Sequence, residues 1–352
     1  MSRLLYNTRG LVKPIPAISN RVSQTSQRHF RHGVWTSNKN EQAMGGIFAT
    51  FEKQETVVQT SVPEENTESE KAPLTVEEVI PSPEILKMLK EKNKLNLPIV
   101  EQREILKVVL ENLPIEETKP KIQKFFPSDN VAELTNLANA ILQHSRDASS
   151  VALKLFELAM ELGDDTAAYT YASLLLKGFP GVQRDVQSAT AIFKRLAVKG
   201  HPHAQYNYAS ILVQTEKDIK SALELFELAG KNGLDTAYAK IADIYRLGQY
   251  VEQDIPKALM YFQKAAEKGN AQSNFYLGYY YSIGQDSLTA GSQPDFEKAF
   301  ECYEKAAVKG IAEAQYNVGQ YYFGGTGVEK NLILAAEYWK MAAAQKFPLA
   351  LV

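Results

Sequence analysis

The chain has 352 residues, of which 45% are hydrophobic, and its formal net charge is −2. This nearly neutral balance argues against a protein that binds nucleic acid through phosphate attraction. Cys302 is the single cysteine, which excludes an intramolecular disulfide and a cysteine-based metal site, and no continuous apolar run reaches the length of about 18 residues that predicts a transmembrane helix.

The N-terminal segment is basic. The first 40 residues contain seven Lys or Arg and no Asp or Glu, and Ser and Thr are frequent. Four apolar residues can share one helical face: Leu4, Leu5, Leu11 and Val12. Such a start is typical of a mitochondrial transit peptide. Residues 28–33 resemble a signal for two-step presequence processing, with a mature start near Asn38. We therefore predict a disordered transit peptide at residues 1–37, and the alternative is an uncleaved basic tail.

An acidic segment follows. Residues 52–80 carry eight glutamates against two lysines and few large apolar residues, which cannot offset the entropy of ordering the chain. Residues 38–81 are therefore predicted to form a disordered acidic linker. At Ser82 a helix is expected to begin, because Ser is a good cap and the following Pro suits the first turn. Residues 82–130 are predicted to hold N-terminal helices.

Residues 131–352 contain a repeat. Five glycines recur with spacings of 37, 33, 36 and 41 residues: Gly163, Gly200, Gly233, Gly269 and Gly310. A period of this size predicts a stack of helix pairs in which each glycine ends the second helix in a left-handed conformation. Small residues lie four and nine positions past each glycine. Two of these are themselves glycines, Gly278 and Gly319. Glycine inside a helix costs about 1 kcal/mol relative to Ala, and a close helix crossing that only glycine allows would explain its presence. The two glycines therefore predict close crossings.

One unit shows the pattern in full. The residues that carry it are Ala314, Gly319, Tyr322, Gly325, Gly327, Val328, Ala335, Trp339 and Ala343. This run resembles the Sel1-like repeat, a relative of the tetratricopeptide repeat, although Asn331 replaces the family's Asp and Lys346 stands where the next glycine would fall. The resemblance implies an all-α fold, a right-handed α-solenoid of about five to six helix pairs over residues 131–352, and an adaptor role toward other proteins.

Motifs for catalysis are missing from the sequence. It contains no phosphate-binding loop motif, no G-x-S-x-G and no H-E-x-x-H. The glycine-rich run at residues 324–327 fits a turn between helices, and His201 and His203 fit an exposed turn better than a metal site. Cys302 occupies a packing position of the repeat. We therefore predict no enzymatic activity, no cofactor and no metal site.

Nucleic acid is not the expected partner. Residues 131–352 contain 24 acidic and 21 Lys or Arg side chains, which is a net charge of −3. A segment with this balance lacks the excess of positive charge that attracts nucleic-acid phosphates. An RNA-linked factor for mitochondrial gene expression is nevertheless one alternative, since helical-repeat proteins of mitochondria often bind RNA.

The first helix of each pair offers a candidate binding surface. Positions seven and ten past each glycine are predicted to face an inner groove that binds a protein client. These residues are Thr170, Ser173, Asn207, Ser210, Lys240, Asp243, Tyr276, Tyr279, Asn317 and Gln320. Tyr276, Tyr279 and Tyr280 give an aromatic patch suited to a binding hot spot. The alternative is that these positions are solvated or serve stacking.

The targeting signal and the resemblance together predict a function. We expect a mitochondrial scaffold, in the matrix or on the matrix face of the inner membrane, where peripheral membrane association is compatible with the sequence. Similarity to mitochondrial helical-repeat assembly factors implies clients among inner-membrane or respiratory-complex subunits, including those of cytochrome c oxidase. A further alternative is a cytosolic Sel1-like activator of a membrane-bound synthase, as fungal members of the family are.

Overall fold

The computed structural model describes most of the chain after the predicted linker. The described ranges are residues 74–126, 130–180, 182–216, 218–284 and 293–350. Within them lie sixteen α-helices and two short 3₁₀ helices. The predicted transit peptide, and the predicted disorder of the linker before residue 74, fall outside these ranges and stay predictions.

Four helices precede the repeats. They are α1 (Val76–Val79), α2 (Pro83–Glu91), α3 (Ile99–Leu110) and α4 (Ile115–Gln123). Helix α1 lies inside the segment predicted to be a disordered linker, and that prediction is wrong at this end. Thr75 and Glu78 form a reciprocal capping box, and the side chain of Val79 is fully buried. Helices α3 and α4 both pack against α6 (Ser149–Glu161), so the N-terminal helices contact the repeat region.

The remaining twelve helices form six pairs. The first helices are α5 (Ala132–His144), α7 (Asp165–Lys177), α9 (Pro202–Gln214), α11 (Asp235–Leu247), α13 (Ala271–Ser282) and α15 (Ala312–Gly324). The second helices are α6, α8 (Val186–Val198), α10 (Ile219–Lys231), α12 (Ile255–Glu267), α14 (Phe296–Val308) and α16 (Leu332–Ala344). Each helix packs mainly against the helices before and after it, which confirms the predicted all-α solenoid of five to six pairs.

A left-handed residue ends each second helix. The five repeat glycines have φ between 89° and 103°. After α8, the Gly200 N–H donates to the Ala197 carbonyl at 3.0 Å and the His201 N–H donates to the Leu196 carbonyl at 3.1 Å. This is a Schellman motif, which satisfies two carbonyls that the helix leaves open. After α16 the same two bonds form, but the left-handed residue is Lys346, with φ 60°.

An acidic or amide side chain begins five of the second helices. Asp185, Asp254 and Asn331 accept hydrogen bonds from backbone N–H groups of the first helical turn. Asp218 and Asp295 cap α10 and α14 in the same way. Caps at both ends therefore set the bounds of these helices locally.

The buried contact within a pair joins a small residue to an aromatic one. The small residue lies on the first helix, nine positions past the repeat glycine. It is Ala in the pairs whose second helix carries Phe, and it is Gly in the pairs whose second helix carries Tyr or Trp. Ala172 and Phe193 belong to one buried cluster, and Ala209, Phe226, Ala242 and Phe262 belong to another. Gly278 lies against the Tyr303 ring, and Gly319 lies against the Trp339 ring. A Cβ on Gly278 would lie 2.9 Å from the Tyr303 ring, and one on Gly319 would lie 2.5 Å from Trp339. The predicted close crossings are confirmed.

We expect Gly278→Ala to lower the free energy of unfolding by about 1–2 kcal/mol. Overpacking against the buried Tyr303 ring costs about 1–3 kcal/mol, which exceeds the gain of about 1 kcal/mol in helix propensity. Urea denaturation followed by far-UV circular dichroism measures the change. Gly324→Ala is the control, because a Cβ there would meet only the Thr326 hydroxyl and stability should stay equal or rise. Equal stability of Gly278→Ala and wild type would contradict the close crossing.

Lys346→Gly is expected to stabilise the last helix pair by up to about 1 kcal/mol, because a residue with a Cβ is strained at the left-handed position after α16. Hydrogen exchange of α15 and α16 amides measures the local effect. Lys340→Gly, inside α16, should have the opposite sign. Slower exchange in Lys340→Gly than in Lys346→Gly would overturn the interpretation.

Candidate protein-binding groove

The ten predicted groove positions differ in exposure. Thr170 and Ser173 on α7 are buried, and their hydroxyls donate to the carbonyls of Thr166 and Tyr169 at 3.0 and 2.8 Å. A hydroxyl that bonds one turn back along its own helix can be buried without an open hydrogen bond. The prediction that these two residues face an open groove is therefore wrong, and α7 contributes a packed surface at these positions.

Helices α9 and α15 give partly open polar positions. Asn207, Ser210 and Asn317 are half-buried, and Gln320 is exposed. The Asn207 side-chain amide donates to the Tyr169 hydroxyl at 3.3 Å, which joins α9 to α7. The Gln320 amide donates to the Tyr316 hydroxyl at 2.8 Å. These side chains are accessible to a partner but already make contacts within the stack.

The middle of the stack holds a charged and aromatic cluster. It consists of six residues, called here the α11–α13 cluster: Lys240, Asp243, Arg246, Tyr276, Tyr279 and Tyr280. Arg246 Nε and Nη2 both donate to Asp243 Oδ1, at 3.0 and 2.7 Å. The Arg246 guanidinium carbon lies 4.5 Å from the centroid of the Tyr276 ring, and Nη2 lies 3.4 Å from the Tyr276 hydroxyl. Helix α11 is thereby fixed to α13 through a cation–π contact.

Burial sets the electrostatics of this cluster. The Asp243 side chain is 6% exposed and the Arg246 side chain 17%. Burial raises the pKa of Asp243, and Arg246 opposes that shift. Burial lowers the pKa of the Lys240 ammonium group, and Asp243 opposes it. Both cations therefore interact with one buried carboxylate, and Tyr279 on α13 presents an exposed aromatic ring.

Tyr276 and Tyr280 connect the charged residues of α11 to the hydrophobic core. Burial, followed by the Asp243 charge, raises the pKa of Tyr276 to about 12. Its ring stacks on Phe262 at a centroid distance of 4.9 Å. Tyr280 is buried and lies edge-on to the Tyr279 ring at 5.3 Å. Both phenols stay neutral near physiological pH, so they contribute aromatic surface and hydroxyl groups but no negative charge.

Arg246 was missed by the sequence reasoning, which followed only the positions seven and ten past each glycine. It lies three residues past Asp243, and this spacing brings opposite charges together on one helical face. An acidic residue followed three positions later by an arginine was the signal that could have found it.

Other candidate residues serve structure. His201 Nδ1 accepts a hydrogen bond from the Ala204 N–H at 3.2 Å, and its ring stacks on Tyr169 at 5.0 Å, so this histidine caps α9. Both His201 and His203 are half-buried, not exposed as predicted. Cys302 is half-buried on α14, and burial raises the pKa of its thiol. No group of three or more His, Cys, Asp or Glu in the described ranges is arranged to hold a metal ion.

The loop after α15 is a turn. Gly325 ends the helix with φ 69°, and its N–H donates to the Tyr321 carbonyl at 2.9 Å.

None of the helices in the described part of the chain is long and apolar enough to span a membrane.

A chain that stacks six helix pairs with these caps is a helical-repeat α-solenoid. The Sel1 repeat family matches it at five ranges, which together make up just over half of the chain: 166–201, 202–234, 236–270, 271–310 and 312–347. The chain belongs to this family. The pair formed by α5 and α6 lies before the first matched range, so the structure adds a sixth unit.

Two solved structures are similar to the chain. One is c5321, a protective antigen of uropathogenic Escherichia coli with an SLR fold, at a TM-score of 0.57 and 26% identity over 68% of this chain and 50% of that one. The other is a Sel1 repeat protein from Oxalobacter formigenes, at a TM-score of 0.53 and 24% identity over 66% of this chain and 100% of that one.

A yeast protein is similar in sequence to a smaller part of the chain. Protein SHC1 of Saccharomyces cerevisiae (strain YJM789) is 31% identical over 131 residues, which is 36% of this chain and 24% of SHC1. The chain thus spans about a quarter of the length of this relative. Sel1-repeat proteins are typically scaffolds for protein interaction, and this chain is such a scaffold by family and fold.

Asp243→Asn is expected to lower the free energy of unfolding by about 3 kcal/mol, because it leaves the two cations of the cluster without their buried counter-charge. The double variant Asp243→Leu/Arg246→Met should recover most of the loss, since replacing a whole buried pair by apolar residues is often neutral. Urea denaturation of the single and double variants measures both.

A surface pair of the same spacing is the control. Lys107 and Glu104 lie 3.2 Å apart, with side chains 63% and 53% exposed. Glu104→Gln should change stability by less than about 0.5 kcal/mol. If Asp243→Asn were as mild as Glu104→Gln, the cluster would not hold α11 and α13 together.

Proposed function

We propose that this chain is a non-enzymatic mitochondrial scaffold that binds a protein client along its first helices. Its task in this proposal is assembly or chaperone-like handling of a respiratory complex such as cytochrome c oxidase. The observation that carries the binding role is the α11–α13 cluster, where Arg246 of one first helix packs on Tyr276 of the next and Tyr279 of that helix presents an exposed ring. Tyr and Arg are the residue types that dominate binding hot spots.

The solenoid supports this role through its shape. Because each helix pair in the described ranges packs mainly against its neighbours, successive first helices can present a row of side chains. Asn207, Lys240, Tyr279 and Gln320 are accessible members of that row on four successive first helices. An extended segment of a client can therefore contact several repeats at once.

The proposed compartment rests on the N-terminal sequence. Seven cations and no acid among the first 40 residues favour import driven by the membrane potential. A matrix scaffold needs no disulfide, which is compatible with one cysteine in the chain. Inner-membrane or respiratory-complex subunits are the clients that this compartment offers.

Import of the radiolabelled chain into isolated mitochondria tests the compartment. We expect a shortened product that forms only with a membrane potential and resists protease after rupture of the outer membrane. A variant with five N-terminal arginines changed to Gln should fail to be imported: Arg3, Arg9, Arg21, Arg28 and Arg31. The matched control changes five exposed lysines to Gln and should be imported normally. Four lie on second helices and Lys268 directly follows one: Lys194, Lys220, Lys231, Lys268 and Lys305. An unshortened, fully digested wild-type product would reject the mitochondrial proposal.

Co-purification tests the client class. After gentle solubilisation of mitochondria, the wild-type chain should retain respiratory-complex subunits, and Tyr279→Ala should retain them several-fold less, because the exposed ring supplies contact area. Tyr250→Ala, on the loop after α11, is the control outside the cluster. Recovery of the chain without any other protein would count against a scaffold.

A second candidate is a cytosolic activator of a membrane-bound synthase. The similarity to a yeast protein favours it, because regulators of this kind occur among fungal members of the family. It requires the basic N-terminus to be an uncleaved tail, so the import experiment separates the two proposals. An RNA-linked role predicts crosslinking to organellar transcripts, against which the net charge of −3 over residues 131–352 argues.

A further inference from the structure

A second groove, called here the α8–α10 groove, opens between two second helices. Its volume is about 510 Å³. Val198 on α8, Tyr208 on α9, and Leu225 and Leu228 on α10 give it apolar walls, and Lys194 on α8 also lines it. None of the residues that line this groove is among the ten positions predicted to face the inner groove. It is therefore a surface distinct from the α11–α13 cluster.

The surface that this groove offers is apolar. Val198 is 84% exposed and Leu228 is 46% exposed. The amides that line the groove bond within the chain: the Gln205 side chain donates to the Ala197 carbonyl at 3.2 Å, and the Asn232 side chain donates to Gln205 Oε1 at 3.1 Å. Large apolar side chains that stay open beside satisfied polar groups are typical of a surface that a partner covers.

One helix pair further along, the chain fills the equivalent space with aromatic rings. Five positions past the repeat glycine, Gln205 on α9 corresponds to Tyr238 on α11, and eight positions before the next glycine, Leu225 on α10 corresponds to Tyr261 on α12. Both tyrosines are buried, and their ring centroids lie 6.2 Å apart. An aromatic ring therefore fits between second helices at this register, and Gln205 and Leu225 leave such room open.

The charge at the groove indicates what accompanies the ring. At the filled interface, the Tyr261 hydroxyl donates to Glu227 at 3.3 Å. Lys194 stands at the position of Glu227, six residues before the repeat glycine, so a cation replaces the carboxylate. Helix α8 carries Lys194 and Arg195, both exposed, and contains no acidic residue. A partner with an acidic residue next to its aromatic one complements this wall.

We infer that the α8–α10 groove binds an aromatic side chain of a partner protein, and that an acidic residue adjacent to it in the partner contacts Lys194. The ring packs between Val198 and Leu228 and lies against Tyr208, because aromatic anchors in apolar pockets supply most of the binding energy of an interface. This inference goes beyond the proposed function, since it depends neither on the compartment nor on the inner groove.

Selection from a displayed library of random dodecapeptides tests the groove, with the full chain, Val198→Asp and Val308→Asp as baits. Val308 is the matched control, because it stands two residues before its repeat glycine, as Val198 does, and is 75% exposed on α14. Wild type and Val308→Asp should enrich peptides in which an aromatic residue lies within two positions of Asp or Glu. Val198→Asp should not, because its carboxylate makes the wall polar and repels the acidic residue.

The best peptide is then measured in solution by fluorescence polarisation. Changing its aromatic residue to Ala should weaken binding to wild type about tenfold or more. Changing its acidic residue to the amide should weaken binding about two- to fivefold, because an exposed ion pair is weak, and should have no effect on Lys194→Gln. Leu225→Tyr places a ring in the groove from within and should bind the peptide less than wild type. The peptide changes need no variant protein, so they decide the matter even if Leu225→Tyr does not fold.

Equal enrichment of the same peptides by wild type and Val198→Asp would overturn the inference, and so would unchanged binding after the aromatic residue is changed to Ala. Equal binding of the acidic and amide peptides would overturn the contact with Lys194. Peptides that Tyr279→Ala loses and Val198→Asp keeps would belong to the inner groove and would count against the α8–α10 groove. If wild type enriches no peptide, the inference fails, whereas the import experiment still decides the compartment.

Discussion

The stack depends on one steric constraint, which is that a first helix must come close to the aromatic side chain of its own second helix. Where that aromatic is Phe, as at Phe226, an Ala faces it, and where it is larger, as at Tyr303 and Trp339, a Gly does. Glycine thus leaves out the Cβ that would come too close to the larger ring, and close packing leaves no other room for it. Without this arrangement, successive pairs could not keep a common spacing, and the first helices would not form a continuous row.

Local signals of the sequence determined much of this fold. The repeat glycines and the side chains of Asp185 and Asn331 act within one turn of their own helix, so their role follows from position alone. Helix α1 could not be recognised in the same way, because its sequence is acidic and the helix, whose Val79 is buried, packs on segments distant in sequence such as α3. Composition predicts disorder correctly only where no such contact exists.

The exposure of the candidate groove residues could not be predicted, for a related reason. A fixed offset from the glycine places a residue on the inner side of a first helix, but it does not say how deeply neighbouring helices cover that residue. Thr170 and Ser173 are covered, and their hydroxyls satisfy their hydrogen bonds within α7. Tyr279 at the same offset stays exposed. Exposure depends on the neighbouring helix pairs, which a single repeat does not encode.

The buried charges of α11 are tolerated because of the repeat packing on either side of them. In a solenoid, stability is close to a sum of repeat and neighbour terms, so an unfavourable group in one repeat is offset by the interfaces on either side. The hydrogen bonds from Arg246 to Asp243 and the contact of Arg246 with Tyr276 link α11 to the next pair and supply such an interface. Lys240 is half-buried on the same helix, where burial lowers the pKa of its ammonium group and the Asp243 charge opposes that shift. The three charged groups of α11 therefore depend on one another and on the helix pair packed against them, so a change at any one of them should be felt at the contact between α11 and α13.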